Sequence, residues 1–232
     1  MFLAAAVPAR AGERVLDVGA GAGVAGLCVL ARVSGVHVTA VDIDKRLVAL
    51  AARNAAKNSF DRHFRAIAAD VRTRWKALGE TGLRREGYHH LMANPPFYTA
   101  SRVRAALDPA RAVAHVMREG DFSAWVDFFT TMCAPHGLLT LIHLPDCLEE
   151  LLCVIDGRFG DITVFPLFPR AGEAATRIIV QAKKGSRAGL SLMSGLVLHE
   201  ADGRYTEAAE AVLREGAALE LRRSSEGKNR ER

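Results

Sequence analysis

A chain of 232 residues, 50% hydrophobic and 25% charged, has the size and mixture of one large α/β domain or two small ones able to bury a core, and a disordered protein is not the general reading. The net charge of +5 suits a polyanionic partner, and much of the excess sits in the closing run "LRRSSEGKNRER", read as a solvated end that adds non-specific affinity for phosphate. Four cysteines in apolar contexts, without a CxxC pair or matching histidines, imply buried thiols in a reducing cytoplasm and no metal site. The opening "MFLAAAVPAR" lacks a basic leader region, and no run reaches the ~18 apolar residues of a membrane span.

In chain order, strand-like runs fall at 14–18 ("RVLDV"), 37–43 ("HVTAVDI"), 65–70 ("RAIAAD"), 89–94 ("HHLMAN"), 137–144 ("GLLTLIHL"), 161–168 ("DITVFPLF") and 176–184 ("TRIIVQAKK"). Helix-length segments lie at 24–33, 45–58 and 121–134. Strands separated by helices predict a parallel sheet with helices on both faces. The last two strands have no long helix between them and are expected to pair antiparallel. The predicted fold is therefore α/β and Rossmann-like, with a mostly parallel seven-stranded sheet in one domain over 1–218. A basic, flexible tail over 219–232 is expected to follow, and the stretch 71–87 is a polar, basic connection.

The first loop, "VLDVGAGAGVAG", places Gly19, Gly21 and Gly23 between the first strand and a helix. Without a Cβ, such a backbone admits a nucleotide-like cofactor close to its N–H groups. Two cofactors compete, because Gly21, Gly23 and Gly26 also satisfy G-x-G-x-x-G, with Asp42 about twenty residues on, as in dinucleotide sites. Asp17, just before the loop, favours S-adenosylmethionine: a carboxylate repels a pyrophosphate but attracts the cationic amino and sulfonium groups. Asp42 and Asp70 end the next two strands, where they would meet the ribose hydroxyls and the adenine amino group. Ile43 and Val71 would be apolar walls for adenine, and Asp44 the N-cap of the helix at 45–58.

At the end of the fourth strand stands "NPPF". Two prolines fix two φ angles and remove two donors, making a rigid corner. The Asn94 side-chain oxygen and the Pro95 carbonyl would accept the two N–H groups of a planar amine, holding its lone pair toward the methyl group. Pro96 keeps Pro95 extended, and Phe97 or Tyr98 would stack on the flat target.

Together, "LDVGAGAGVAGL", "VDID", "AAD" and "NPPF" resemble the class I S-adenosylmethionine-dependent methyltransferases that modify planar amino nitrogens. "REGDFSAWVDF", "LLT" and "GLVLHEADGRYTEAAEAVLR" resemble the bacterial tRNA adenine-N6 methyltransferases that act on valine tRNA, over residues 2–215. The resemblance implies the class I fold and S-adenosylmethionine as cofactor, contacted by Asp17, Gly19, Gly21, Gly23, Asp42 and Asp70. It also implies a catalytic loop of Asn94, Pro95, Pro96 and Phe97. Members of that family carry a segment ahead of the position of Phe2 that helps close the cofactor site, whereas this sequence begins at "MFLAAAVP", so either its start is truncated or that lid is absent; after Tyr98, "TASRVR" has no glycine where the family has one.

The expected partner is a nucleic acid, tRNA first, because the chain leaves no room for a DNA-recognition domain. Arg72, Arg74, Lys76, Arg84, Arg85, Arg102, Arg104 and Arg111 are candidate phosphate contacts. DNA amines, a protein glutamine and an NAD(P)-dependent oxidoreductase remain alternatives. So does an O-methyltransferase, which would need a base such as His89, His90 or His143.

Overall fold

In the computed structural model, which describes residues 1–73, 75–95, 98–99, 116–117 and 121–221, a short helix α1 (Phe2–Ala5) precedes strand β1 (Arg14–Val18). Helix α2 (Val24–Arg32), β2 (His37–Asp42), α3 (Lys45–Lys57) and β3 (Phe64–Ala68) follow in alternation. Next come α4 (Trp75–Leu78), β4 (Tyr88–Ala93), two short strands β5 (Tyr98–Thr99) and β6 (Val116–Met117), and α5 (Asp121–Met132). The remainder comprises β7 (Cys133–His143), α6 (Leu148–Ile155), β8 (Phe159–Phe168), β9 (Arg177–Lys184), β10 (Leu190–Leu192), β11 (Leu196–Val197) and α7 (Glu207–Glu210).

The main sheet runs β10-β8-β9-β7-β4-β1-β2-β3, with β11 also on β8, while β5 and β6 pair with each other. All seven expected strands are present, and β9 lies antiparallel to both β8 and β7. The sheet has nine strands rather than seven because β10 and β11 add to β8. Three and two residues long, and exposed along β10, these are shorter than the roughly four to eight residues over which alternation marks a strand.

Strands buried on both faces read as continuous apolar runs, and β1 shows how the pleat divides them. Leu16 and Val18 point into a cluster with Leu91, Phe122, Val126 and Phe129, under α5. Val15 points the other way, among Leu3, Val29, Leu30, Ala51 and Ala55 of α1, α2 and α3. The period of two puts Asp17 on that second face with Val15. Helix α3 starts where expected: the Asp44 carboxylate accepts the Arg46 N–H at 2.8 Å.

A third cluster joins the two ends of the described chain, with Ala6 packed against Phe165, Leu167, Ile179 and Leu221. Arg32 Nη2 donates to the carbonyls of Ala4 at 2.9 Å and Val7 at 2.6 Å, and Leu219 N–H donates to Ala5 at 2.9 Å. Packing therefore runs to Leu221, past the boundary expected at 218. Residues 222–232 of the basic tail lie outside the described residues.

Of the four cysteines only Cys133 is buried, and burial pushes its thiol up to about 12; Cys153 is exposed, and Cys28 and Cys147 are half-buried. Apolar sequence neighbours had suggested burial for all four, but on α6 the side of the helix decides it. Among the described residues no helix is long and apolar enough to cross a membrane.

The order β4-β1-β2-β3 lines up the carboxyl ends of the four strands at roughly 4.8 Å spacing. The chain leaves β1 toward β2 on one side and reaches β4 on the other, and ligand crevices of open α/β sheets form at such a switch point.

Candidate active site

The glycine loop bends from β1 over β2, with Gly19 N–H and Ala20 N–H both donating to the Val41 carbonyl, at 2.8 and 3.0 Å. Gly21 has a φ of +55°, and a Cβ built there meets nothing within 4 Å. It faces open space, the cradle a cofactor requires. Gly23 and Gly26 serve packing instead. A Cβ on Gly23 would lie 3.0 Å from both Ala51 and Phe64, and one on Gly26 would lie 2.8 Å from Val38.

Gly19 reveals a residue the sequence did not suggest. A Cβ there would lie 2.8 Å from Cη2 of Trp125, so this half-buried α5 indole closes one side of the loop, edge-on to Phe129 at 5.8 Å. No local pattern marks Trp125, because only the passage of α5 over β1 brings it to Gly19.

Two of the three acids accept backbone N–H groups, one from the loop and one from the helix that follows it. Asp42 Oδ2 accepts the Gly21 N–H at 2.8 Å and Oδ1 accepts the Asp44 N–H at 2.9 Å. The carboxylate thus ties the loop to the start of α3 and keeps lone pairs for further donors. Asp17 is buried, with Oδ2 accepting the Gly26 N–H at 3.0 Å. Burial, with the Asp42 charge adding to it, pushes its carboxyl up to about 7 against the Gly26 hydrogen bond.

Because that value lies above the ordinary one near 3.8, the folded state holds the Asp17 proton more tightly than the unfolded chain. The resulting stabilisation is complete below the unfolded value and disappears as pH rises through about 7. Urea midpoints of the wild type, measured relative to Asp17→Asn, are expected to fall between about pH 4 and 7. Parallel curves for the two proteins would refute the burial of a titrating carboxyl here.

At the end of β3, Asp70 accepts the Arg72 N–H at 2.9 Å and forms an ion pair with its guanidinium at 2.7 Å. The Arg72 hydrogen bonds hold its carboxyl below the ordinary carboxylate range. Arg72, expected as a phosphate contact, is thereby engaged with Asp70. Ile43 is 61% exposed at the end of β2, whereas Val71 packs against the core cluster under α5.

In the parallel register Val18 is level with Ala93, so Asn94 leaves β4 beside Gly19. Asn94 is exposed between buried Ala93 and buried Pro95, an amide held outward on a backbone anchored at both sides. Pro96, Phe97, Arg74, Arg102, Arg104 and Arg111 lie outside the described residues.

The histidines occupy unequal places. His89 Nδ1 accepts the Arg14 N–H and His90 Nε2 meets Glu13 at 2.8 Å, both at the opposite end of β4 from Asn94. His143 ends β7 on the crevice side but is 2% exposed, edge-on to Phe122.

Residues 1–120 match the methyltransferase small domain family. A tRNA1(Val) (adenine(37)-N6)-methyltransferase of Aeromonas hydrophila is 26% identical over 209 residues, spanning 89% of this chain and 83% of its own length. One from Dickeya chrysanthemi is 24% identical over 222 residues, spanning 93% and 84%. The crystal structure of a predicted O-methyltransferase from Agrobacterium tumefaciens is 30% identical with a TM-score of 0.80, covering 94% of this chain and 97% of that one. A geranyl diphosphate C-methyltransferase from Streptomyces coelicolor, in complex with S-adenosyl-L-homocysteine, shares the fold alone at 12% identity and a TM-score of 0.58, covering 79% and 78%.

Proposed function

Because the chain belongs to the methyltransferase small domain family and is an S-adenosylmethionine-dependent methyltransferase, we propose that it methylates a planar exocyclic amino group, adenine N6 of a tRNA. Its place of work would then be the cytoplasm. The observation that carries this reading is the Asn94 amide, exposed between two buried neighbours at the strand end beside the glycine loop. Membership of the family sets aside the dinucleotide reading of Gly21, Gly23 and Gly26.

The open space at Gly21, the Asp42 carboxylate on its rim and the exposed Ile43 fit the cofactor. In that arrangement Asp42 accepts from the ribose hydroxyls, Ile43 gives adenine an apolar surface and Asp17 anchors the start of α2 behind the loop through the Gly26 N–H. Asp70 is left for the adenine amino group through lone pairs not used by Arg72. When bound, S-adenosylmethionine supplies an electrophilic methyl group on a sulfonium centre.

Asn94 and Pro95 do the work on the substrate side. An adenine amino group is a poor nucleophile because its lone pair is delocalised into the ring. Two acceptors, the Asn94 side-chain oxygen and the Pro95 carbonyl, bind its N–H groups and favour a pyramidal nitrogen as positive charge develops. No base is needed before the transfer. A hydroxyl substrate would need one; among the described histidines, His89 and His90 lie at the far end of β4 and His143 is 2% exposed, which supports an amine substrate.

The relatives named for tRNA1(Val) adenine support tRNA over the other planar amines. Incubating the protein with methyl-labelled cofactor and, in parallel, total tRNA, duplex DNA and a glutamine peptide tests the reading. Nucleoside mass spectrometry is expected to find the label in N6-methyladenosine from tRNA. Label confined to DNA, to the peptide or to 2′-O-methyl nucleosides would overturn it.

A further inference from the structure

Apart from the closing run, the basic charge of the chain is densest in one stretch. Residues 44–85 contain eleven Lys and Arg against four Asp and Glu, a net charge of +7 that exceeds the +5 of the whole chain. Residues 145–221 contain eight against twelve, a net charge of −4. Sheet order makes this a separation in space, because α3 and β3 lie at one edge and β8 and β10 at the other. An extended polyanion meets attraction along the first edge and net repulsion at the second.

Helix α3 forms the densest part of the basic edge. Its exposed residues are Lys45, Arg46, Ala49, Ala52, Arg53, Ala56 and Lys57, four cations and three alanines without an acid. Steps of seven and four residues put Arg46, Arg53 and Lys57 on one line along the helix. At 1.5 Å per residue they are spaced roughly 10 and 6 Å apart along its axis. Exposed Arg62 continues the stripe toward β3. Arg46 is paired with Asp44, but among the described residues Lys45, Arg53, Lys57 and Arg62 make no ion pair. Small side chains between unpaired cations let a phosphate backbone approach closely, the requirement of sequence-independent RNA contact.

We propose that the exposed face of α3, with Arg62, is the surface on which the RNA backbone docks; the proposal rests on the tRNA reading above. The stripe begins three residues after Asp42, at the cofactor rim, and Asn94 lies across the crevice at the end of β4. Three strand spacings, roughly 14 Å, separate the ends of β3 and β4. A backbone held along α3 therefore runs up to the edge of the transfer site without covering it. This is a different surface from the 71–111 flank expected from sequence, where Arg72 is engaged by Asp70.

The test compares two triple variants that remove equal charge. Arg53→Ala/Lys57→Ala/Arg62→Ala is expected to weaken tRNA binding at least tenfold near physiological salt. The slope of log affinity against log salt should become shallower by about two to three, since each phosphate contact contributes roughly 0.9. KM for tRNA rises accordingly, while S-adenosylhomocysteine affinity and kcat at saturating tRNA stay within about twofold of wild type and the melting temperature is unchanged. The control Arg170→Ala/Arg187→Ala/Arg214→Ala, on the far side of the sheet, keeps wild-type affinity and slope. Equal losses in both variants would replace a docking surface by diffuse charge and overturn the proposal. Unchanged tRNA binding in the first variant, with a wild type that methylates tRNA, overturns the surface and leaves the substrate standing. A wild type that neither binds nor methylates tRNA removes the substrate reading and the surface with it.

Discussion

Asn94→Ala is expected to lower kcat by on the order of a hundredfold or more, with S-adenosylhomocysteine affinity and melting temperature near wild type. The size follows from the timing of the interaction. The acceptor oxygen gains most when the target nitrogen has become pyramidal and positive, so its loss raises the barrier more than it weakens the ground state. The small stability effect follows from position, because Asn94 is exposed while its buried neighbours Ala93 and Pro95 keep the corner in place. Single-turnover methyl transfer measured beside thermal unfolding separates chemistry from architecture. Near-normal transfer by the folded variant would remove Asn94 from the reaction, and a large fall in melting temperature with retained turnover would make it structural.

Asp42→Ala is the second large effect, and it falls on cofactor affinity. Binding should weaken by about 1.5 to 3 kcal/mol, the range for a charged acceptor of hydrogen bonds, or ten- to more than a hundredfold in Kd. Two losses add. The ribose hydroxyls lose their acceptor, and the Gly21 and Asp44 N–H groups lose the carboxylate that ties the loop to α3. Asp42→Asn separates the two parts, since its single side-chain oxygen can keep one of the two backbone donors but carries no charge. It should fall between wild type and Asp42→Ala in titration calorimetry with S-adenosylhomocysteine. Unchanged affinity in Asp42→Ala would defeat the assignment of this carboxylate to the cofactor.

Much of the architecture was readable before any coordinate, for a local reason. Strands buried on both faces leave unbroken apolar runs, and α2, α3 and α5 appear between them as helix-length segments, so each element is written in its own few residues. Asp44 as the cap of α3 was readable in the same way, because a cap acts on backbone two residues away. The two shortest strands were not, since β10 and β11 owe their existence to the open edge of β8 and not to a pattern of their own.

The sequence by itself determined the order of strands and helices, the loop rich in glycine, the acids at three successive strand ends and the proline corner after the fourth strand. Only the tertiary structure decided what each of these groups touches. Gly21 faces open space while Gly23 and Gly26, in the same motif, carry helix packing, a difference made by Ala51, Phe64 and Val38 from distant parts of the chain. Trp125 meets Gly19 because α5 crosses over β1, more than a hundred residues away in sequence. Asp17 is buried with a raised pKa because the pleat turns it under α2, and a basic stripe stands free because β3 is an edge and the acidic segments fold onto the other. Backbone preference acts over a few residues and is written locally, whereas burial, contact and charge separation depend on which remote segments the sheet brings together.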